Sequence, residues 1–171
     1  MQQEGGSMTI PPGMNSVNVY LVVPNSMDAI EFYGNAFGAT PGLRIPGPMG
    51  DRTTMHAEVK IGNSTVMLTD ENPAWEKKSP ATLGGSPVGL HIYVDDVDAA
   101  FAKATEAGCT VGMPPSDTFW GDRFCQINDP YGHTWSIATH VKTMTEEEIL
   151  AGAQEWFKAM AGQCEQQEEN S

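Results

Sequence analysis

The chain has 171 residues, with 22 acidic and 9 basic side chains and a formal net charge of −13. This excess of acids argues against binding to nucleic acids or anionic membrane surfaces, both of which require clustered lysine and arginine. The apolar content of 40% supports a folded core and excludes a wholly disordered chain. The length suits one domain or two small modules that share a core.

The N-terminal residues 1–13 are polar and contain glycine and proline, so we expect them to be disordered. They lack the basic and apolar regions of a secretory signal. No apolar run approaches the roughly 20 residues that a membrane-spanning helix needs. The cysteines (Cys109, Cys125 and Cys164) are odd in number and form no CxxC motif, which favours reduced thiols and a cytoplasmic protein.

An internal repeat begins with two strands of alternating hydrophobicity. Apolar side chains occupy every second position in residues 17–23, and they do so again at an offset of 71 residues, in residues 88–94. A period of two is typical of a strand with one buried face. The intervening side chains are mixed in character, so we expect them to face a different environment.

Each of these strands leads into a segment with the three- and four-residue spacing of an amphipathic helix. The spacing predicts helices over residues 27–37 and 97–104, which Gly38 and Gly108 would end. Strand-like segments follow, at residues 39–44, 55–61 and 65–69 in the first half and 110–113, 124–128 and 134–139 in the second. The chain is therefore predicted to contain two βαβββ modules, residues 14–71 and 88–141, joined by a linker, residues 72–87.

The C-terminal segment predicts one more helix, over residues 144–161. Thr145 and Glu148 have the spacing of a capping box, which marks a helix start. An apolar stripe follows, formed by Ile149, Leu150, Ala153, Trp156, Phe157 and Met160. We expect this helix to pack on the domain or on a partner subunit, and residues 162–171 to be disordered.

The segments that carry a family resemblance are residues 29–33, 36–39, 55–58, 67–71, 91–98, 119–123 and 129–137. Together they resemble the vicinal oxygen chelate superfamily, which contains glyoxalase I, extradiol dioxygenases and bleomycin-resistance proteins, and in particular its PhnB-like branch. The resemblance implies an α+β fold in which two paired βαβββ modules form a mixed-sheet cup, with the C-terminal helix added. It also implies a homodimer.

The metal enzymes of this superfamily take four ligands from the inner face of the cup, one His or Gln and one Glu from each module. The matching positions of this sequence hold Asn18, Met67, Gly89 and Ser136. A glycine and a thioether cannot bind a hard divalent ion, so the usual metal site is expected to be lost. A displaced zinc or iron site is the alternative, with candidate ligands His56, Glu58, His91 and His140.

The predicted ligand site is the inner face of the cup. We expect its lining to consist of Asn18, Tyr20, His56, Met67, Tyr93, Trp120, Arg123, Ser136 and His140. Glu58 and His91 are the candidate catalytic residues, since a carboxyl group and an imidazole can exchange protons with a substrate. Structural alternatives are an ion pair of Glu58 with an arginine (Arg44, Arg52 or Arg123) and a pair of Asp122 with Arg123 that holds a loop.

The leading hypothesis is a homodimeric protein that binds a small, partly apolar molecule in the cup without a metal or other cofactor. The alternative is a lyase or isomerase resembling glyoxalase I, which would use a divalent metal or Glu58 and His91, or else a dioxygenase-like enzyme. A third hypothesis is a structural module that keeps the fold without a ligand. The expected partners are a small molecule and a second copy of the chain, with no nucleic acid and no membrane.

Overall fold

The structure, a computed structural model, describes residues 9–168, with side chains over residues 9–161. The first module consists of β1 (Val19–Val23), α1 (Ser26–Phe37), β2 (Thr40–Gly47), β3 (Gly50–Ile61) and β4 (Ser64–Asp70). A 3-10 turn (Pro73–Trp75) and α2 (Pro80–Leu83) follow. The second module consists of β5 (Gly89–Tyr93), α3 (Val97–Ala107), β6 (Thr110–Asp117), β7 (Asp122–Asn128) and β8 (Thr134–His140), and the last helix is α4 (Glu146–Glu168).

Each module forms a four-stranded mixed sheet with the same strand order. The orders are β1-β4-β3-β2 and β5-β8-β7-β6. The first strand of each module pairs in parallel with the last, and the remaining pairs are antiparallel. The predicted α+β class, with two βαβββ modules and a C-terminal helix, is confirmed.

The helices of both modules begin and end by the same local chemistry. Asn25 accepts hydrogen bonds from the backbone N–H groups of the first turn of α1, and Asp96 does the same for α3. Gly38 and Gly108 then end the helices in the left-handed conformation, at φ 68° and 116°. A residue without a Cβ adopts that conformation without strain, which explains why both helices end at the predicted glycines, although α3 continues three residues beyond its predicted span.

The last strand of each module also holds the N-terminus of its helix. In the first module, Asp70 Oδ1 accepts a hydrogen bond of 2.7 Å from the backbone N–H of Ser26. In the second, Thr139 Oγ1 accepts one of 2.8 Å from the backbone N–H of Val97. The two modules therefore cap the N-termini of α1 and α3 from equivalent positions but with different side chains.

The helix-facing sides of the two sheets share one hydrophobic core. Its largest fully buried apolar side chains come from both modules: Tyr33, Leu68, Ile127, Trp135 and Ile137. Helices α1 and α3 pack against each other in this core. We call the opposite side of each sheet its open face, because α1 and α3 do not cover it.

The segment predicted as a linker is anchored by specific contacts. Glu71 Oε2 accepts a hydrogen bond of 2.6 Å from the backbone N–H of Ser79, which is fully buried and caps α2. The buried Pro80 packs against Gly132 in the turn between β7 and β8, where an added Cβ would lie 3.0 Å away. These contacts fix the path between the modules.

Helix α4 begins with the predicted capping box. The backbone N–H of Thr145 donates to Glu148 Oε2 at 2.8 Å, and the backbone N–H of Glu148 donates to Thr145 Oγ1 at 3.2 Å. The helix continues to Glu168, so part of the tail predicted to be disordered is helical, and residues 1–8 and 169–171 lie outside the described residues. No helix within residues 9–168 combines the length and hydropathy needed to cross a membrane.

Candidate functional site

The open face of the first sheet brings together four of the predicted site residues. Tyr20 on β1 lies beside Met67 on β4, and Met67 lies beside Glu58 on β3. His56, two residues before Glu58, contacts both ends of this row: its Nε2 is 3.3 Å from Glu58 Oε1 and its Nδ1 is 3.4 Å from the Tyr20 hydroxyl. The partner of Glu58 is therefore His56 and none of the three arginines considered from the sequence.

A lysine from the linker covers the edge of this face. Lys77 Nζ lies 4.9 Å from the centre of the Tyr20 ring, within the range of a cation–π interaction. Tyr20 nevertheless keeps 44% of its surface exposed. This face can therefore still contact a ligand or another chain.

The open face of the second sheet carries an aromatic cluster. His91 and Tyr93 lie on β5, and their rings are 4.8 Å apart. The ring of Phe124, on β7, lies 6.1 Å from that of His91 and 5.9 Å from that of Trp120. Tyr93 is 64% exposed, so much of this cluster can be reached from solvent.

Asp122 lies at the end of this cluster and connects three of the predicted site residues. Its Oδ2 accepts hydrogen bonds from the Tyr93 hydroxyl at 2.9 Å and from Trp120 Nε1 at 3.2 Å. Its Oδ1 lies 2.8 Å from His140 Nδ1. The residue is only 4% exposed. It is thus a buried carboxylate whose two oxygens are both occupied.

The same contacts decide the ionisation of this carboxyl group. Burial raises the pKa of Asp122, but the hydrogen bonds from His140, Tyr93 and Trp120 outweigh it and hold the pKa below its ordinary value. The hydrogen bond to Asp122 also raises the pKa of the Tyr93 hydroxyl. At neutral pH the cluster therefore contains a carboxylate and a neutral phenol.

Gly121 lies in the loop between β6 and β7 and allows this loop to approach the end of β8. It has φ 96°, and a Cβ there would lie 2.0 Å from the carbonyl oxygen of Lys142. Its own carbonyl oxygen accepts hydrogen bonds from the backbone N–H groups of Val141 and Lys142, at 3.0 and 2.9 Å. Only glycine allows this approach, which places His140 beside Asp122.

Helix α4 packs against the same loop. An added Cβ at Gly152 would lie 2.8 Å from Cβ of Phe119, so the helix backbone touches the loop directly. The Phe119 ring lies 6.4 Å from that of Trp156 and 4.9 Å from that of Trp120. The aromatic cluster therefore extends from the open face of the second sheet to α4.

Two predicted lining residues make their contacts outside the two groups described above. Arg123 points toward α3, where its guanidinium contacts both oxygens of Asp98 at 2.6 and 2.8 Å and Asp117 at 3.0 Å. Its predicted pairing with Asp122 is absent, because neighbouring strand residues point to opposite faces. Asn18 precedes β1, and its side-chain oxygen accepts a hydrogen bond from the backbone N–H of Asn15 at 2.8 Å.

The site residues thus form two groups, one on each sheet. Among residues 9–161, no hydrogen bond, ion pair or aromatic contact joins the group around His56 to the group around His91. In that range no three His, Cys, Asp or Glu side chains lie close enough together to hold a metal ion. The displaced metal site suggested by strand alternation is therefore not assembled within one chain.

The superfamily's usual metal positions do not fit a metal either. Gly89 offers no donor atom, and open space surrounds the place where its Cβ would be. Met67 provides a thioether, which is a soft ligand, and Ser136, beside His91 on the second open face, provides a neutral hydroxyl. This donor set does not suit a hard divalent ion, so no chemical step is assigned to a metal.

A groove of about 900 Å³ follows the free edge of β5. Its lining includes His91 and Tyr93 together with Phe37, Trp135 and the turn at residues 62–64. Its volume lies within the range of small-molecule sites. The groove gives a ligand access to the aromatic cluster from the edge of the sheet.

Sequence reasoning did not identify several residues of these clusters. Alternation along β7 could have placed Asp122 and Phe124 on one face, but the bonds of Asp122 to His140 and Tyr93 depend on strand register. Lys77 was assigned only to the linker. Its position over Tyr20 follows from the anchoring of that segment, for which the sequence contains no local signal.

Comparison with known proteins identifies the family. The model of the Glyoxalase/Bleomycin resistance protein/Dioxygenase superfamily matches residues 13–137. The uncharacterized protein Rv0887c of Mycobacterium tuberculosis is 41% identical over 155 residues, which cover 88% of each chain.

Solved structures show the same fold. TioX from Micromonospora sp. ML1 has a TM-score of 0.57 and 26% identity, over 74% of this chain and 99% of that chain. A PhnB protein from Bacillus cereus has a TM-score of 0.56 over 73% of this chain and 99% of that chain, at 15% identity, which shows likeness of fold alone.

Proposed function

Because the chain belongs to the Glyoxalase/Bleomycin resistance protein/Dioxygenase superfamily, we propose that it binds a small, partly apolar molecule on its open faces without the usual metal. The observation that carries this proposal is the exposed aromatic cluster of His91, Tyr93 and Phe124 beside the buried carboxylate of Asp122. Aromatic side chains supply contact area at a low entropic cost, and a few polar groups then orient the ligand. We also propose that the protein belongs to the PhnB-like branch of this superfamily.

The protein is proposed to act as a homodimer. Tyr20 on one open face and Tyr93 on the other are 44% and 64% exposed, and a second copy would cover them. A two-fold axis can set the first open face of one copy against the second open face of the other. Such pairing would bring His56 and Glu58 of one copy near His91 of the other.

The ligand proposal is tested by ligand-observed NMR with a panel of small aromatic and aliphatic compounds. We expect aromatic members to bind, and the double change His91→Ala, Tyr93→Ala to weaken binding by roughly tenfold or more. Trp75→Ala is the matched control, because Trp75 is a similarly exposed aromatic (49%) in the linker. Absence of binding across the panel, or equal weakening by the control, would refute the proposal.

Metal independence has a separate test. Binding of the same aromatic compounds should be unchanged after treatment of the protein with a chelator. Stoichiometric zinc, nickel or iron in the purified protein that is lost on His91→Ala would contradict a metal-free site. It would instead support the second candidate function, a glyoxalase-like lyase or isomerase.

An acid–base version of that second candidate needs no metal. The contact of Glu58 with His56, at 3.3 Å on the first open face, is the observation that favours it. A carboxylate and an imidazole in contact can move a proton on a bound substrate. Loss of turnover with Glu58→Gln, at unchanged ligand affinity, would distinguish this enzyme from a protein that only binds its ligand.

The cytoplasm is the proposed location. Cys109 and Cys125 are both free thiols and both buried. Free thiols are typical of proteins in a reducing compartment. Microscopy of the tagged protein in its own host would test this.

A further inference from the structure

We propose that His140 is the proton-accepting group of the ligand site on the second open face, and that the ligand carries an acidic hydroxyl, as phenols and enols do. This inference rests on the proposed function, and it adds the chemical class of the ligand. The evidence is the arrangement of His140, Asp122 and Thr143.

Asp122 determines which ring nitrogen of His140 carries the proton. Its carboxylate can only accept hydrogen bonds, so the nitrogen 2.8 Å from its Oδ1, Nδ1 of His140, must carry the proton. The neutral ring then has its lone pair on Nε2. A buried carboxylate that orients a histidine in this way also stabilises the imidazolium that forms when Nε2 takes up a proton.

The rest of the cluster keeps Asp122 suited to this role. The Tyr93 hydroxyl and Trp120 Nε1 both donate to Oδ2, which leaves Oδ1 to His140. Three hydrogen bonds to a carboxylate that is 4% exposed hold it in one position. The side chain of His140 is 53% exposed, whereas its partner Asp122 is buried.

The Thr143 hydroxyl occupies the position beside Nε2 that the ligand hydroxyl would take. Its Oγ1 lies 3.1 Å from His140 Nε2, in an exposed part of the chain. The threonine hydroxyl is too weak an acid to give up its proton, but it can rotate away and yield its place to a more acidic group. The nearby Lys142 Nζ lies 3.8 Å from Glu148 Oε1.

The proposed step moves one proton and needs no oxidant or reductant. The O–H bond of the ligand breaks, its proton forms a bond to Nε2, and the electron pair stays on the ligand oxygen. The product is an oxyanion beside an imidazolium, with Asp122 behind it. The rings of Tyr93 and Phe124 lie along the same face and can contact the apolar part of the ligand.

The test uses p-nitrophenol, whose anion absorbs at longer wavelength than the neutral form. At a pH where free p-nitrophenol is mostly neutral, we expect the wild-type protein to raise the ratio of anion to neutral phenol in the bound fraction roughly tenfold, a shift of about one pKa unit. His140→Gln should abolish this shift. Thr143→Val should keep it, because valine leaves Nε2 free.

His133→Gln is the matched control, since the His133 imidazole also lies beside a buried carboxylate, 3.2 Å from Asp129, but in the turn between β7 and β8. It should leave the spectral shift unchanged. Binding of p-nitrophenol only as the neutral phenol, or an equal shift in the His140→Gln variant, overturns the inference but leaves the proposed function standing. Failure to bind p-nitrophenol also overturns it, while the proposed function is judged by the non-acidic aromatics of the NMR panel.

Discussion

Tyr33 on α1 donates a hydrogen bond of 2.8 Å to Oδ2 of Asp129, which lies 96 residues later in the turn between β7 and β8. The same oxygen accepts a bond of 2.9 Å from Trp135 Nε1. The backbone N–H groups of Tyr131 and His133 donate to Oδ1, each at 2.9 Å. A single buried carboxylate thus organises the turn and joins the first module to the second.

Tyr33→Phe should destabilise the protein more than the removal of a single oxygen atom suggests. The change removes one hydroxyl from a fully buried ring and leaves Asp129 short of a donor, at an expected cost of about 1–3 kcal/mol in the free energy of unfolding. Urea denaturation measures this cost. Tyr131→Phe is the control, because no hydrogen bond from its hydroxyl is found within residues 9–161; equal losses for the two variants would contradict the assigned role.

Asp129 should also make stability depend on pH. Burial raises its pKa, but hydrogen bonds from His133 and Trp135 outweigh this and hold the folded-state pKa below the ordinary value. The carboxylate therefore stabilises the fold at pH values above its unfolded pKa of about 3.9, and this contribution is lost as the pH falls through the lower, folded-state pKa. Denaturation measured from about pH 5 down to about pH 2, which spans the unfolded pKa and the values below it, should show a weaker pH dependence for Asp129→Asn. Asp51→Asn, at an exposed position, should behave as wild type.

Gly121→Ala should disrupt the cluster around Asp122. Alanine at φ 96° is strained, and its Cβ would also collide with the carbonyl oxygen of Lys142. Gly50→Ala separates the two effects, since Gly50 has φ 105° but nothing within 4 Å of its Cβ position. We expect the loss of unfolding free energy for Gly121→Ala to exceed that for Gly50→Ala by about 2 kcal/mol or more. Similar losses would show that the close approach is unimportant.

The capping box should determine the stability of α4. Thr145→Ala removes the side-chain oxygen that accepts the backbone N–H of Glu148, at an expected cost of about 1 kcal/mol. Thr145→Ser keeps the oxygen and should restore stability. Hydrogen exchange in the first turn of α4 provides the measurement, and unchanged exchange in the alanine variant would count against the cap.

The buried thiols should be unreactive in the folded protein. Burial raises the pKa of Cys109 to about 12, and it also raises the pKa of Cys125. In a Cys164→Ser background, we expect an aromatic disulfide reagent to label neither thiol at neutral pH until denaturant is added. Rapid labelling of the native protein would mean that one of these cysteines is accessible.

Much of the fold could be predicted because its signals are local. The alternation in residues 17–23 and 88–94, the helix spacing that follows and the glycines that end the helices each depend on a few neighbouring residues. The capping box of α4 is another local signal, since Thr145 and Glu148 are one helical turn apart. Such patterns determined the two modules, their order and the C-terminal helix.

The site could be predicted only in part. Alternation within single strands placed His56 with Glu58 and His140 with Ser136 on shared faces, but it could not show which strands would lie side by side. The contacts that define the chemistry, such as Asp122 with His140, depend on strand register and on the close approach at Gly121. No pattern among neighbouring residues indicates the strand register or this close approach.

The composition argued against nucleic-acid binding and left a choice between one domain and two modules, and the repeat alone indicated two modules. Only the tertiary structure decided that both modules share a core, that the predicted site residues divide between two open faces, and that Arg123 turns away from them. The physical reason is the distance along the sequence over which each interaction acts. Backbone conformation responds to neighbours in sequence, whereas a hydrogen bond such as that from Tyr33 to Asp129 forms only after the chain has folded.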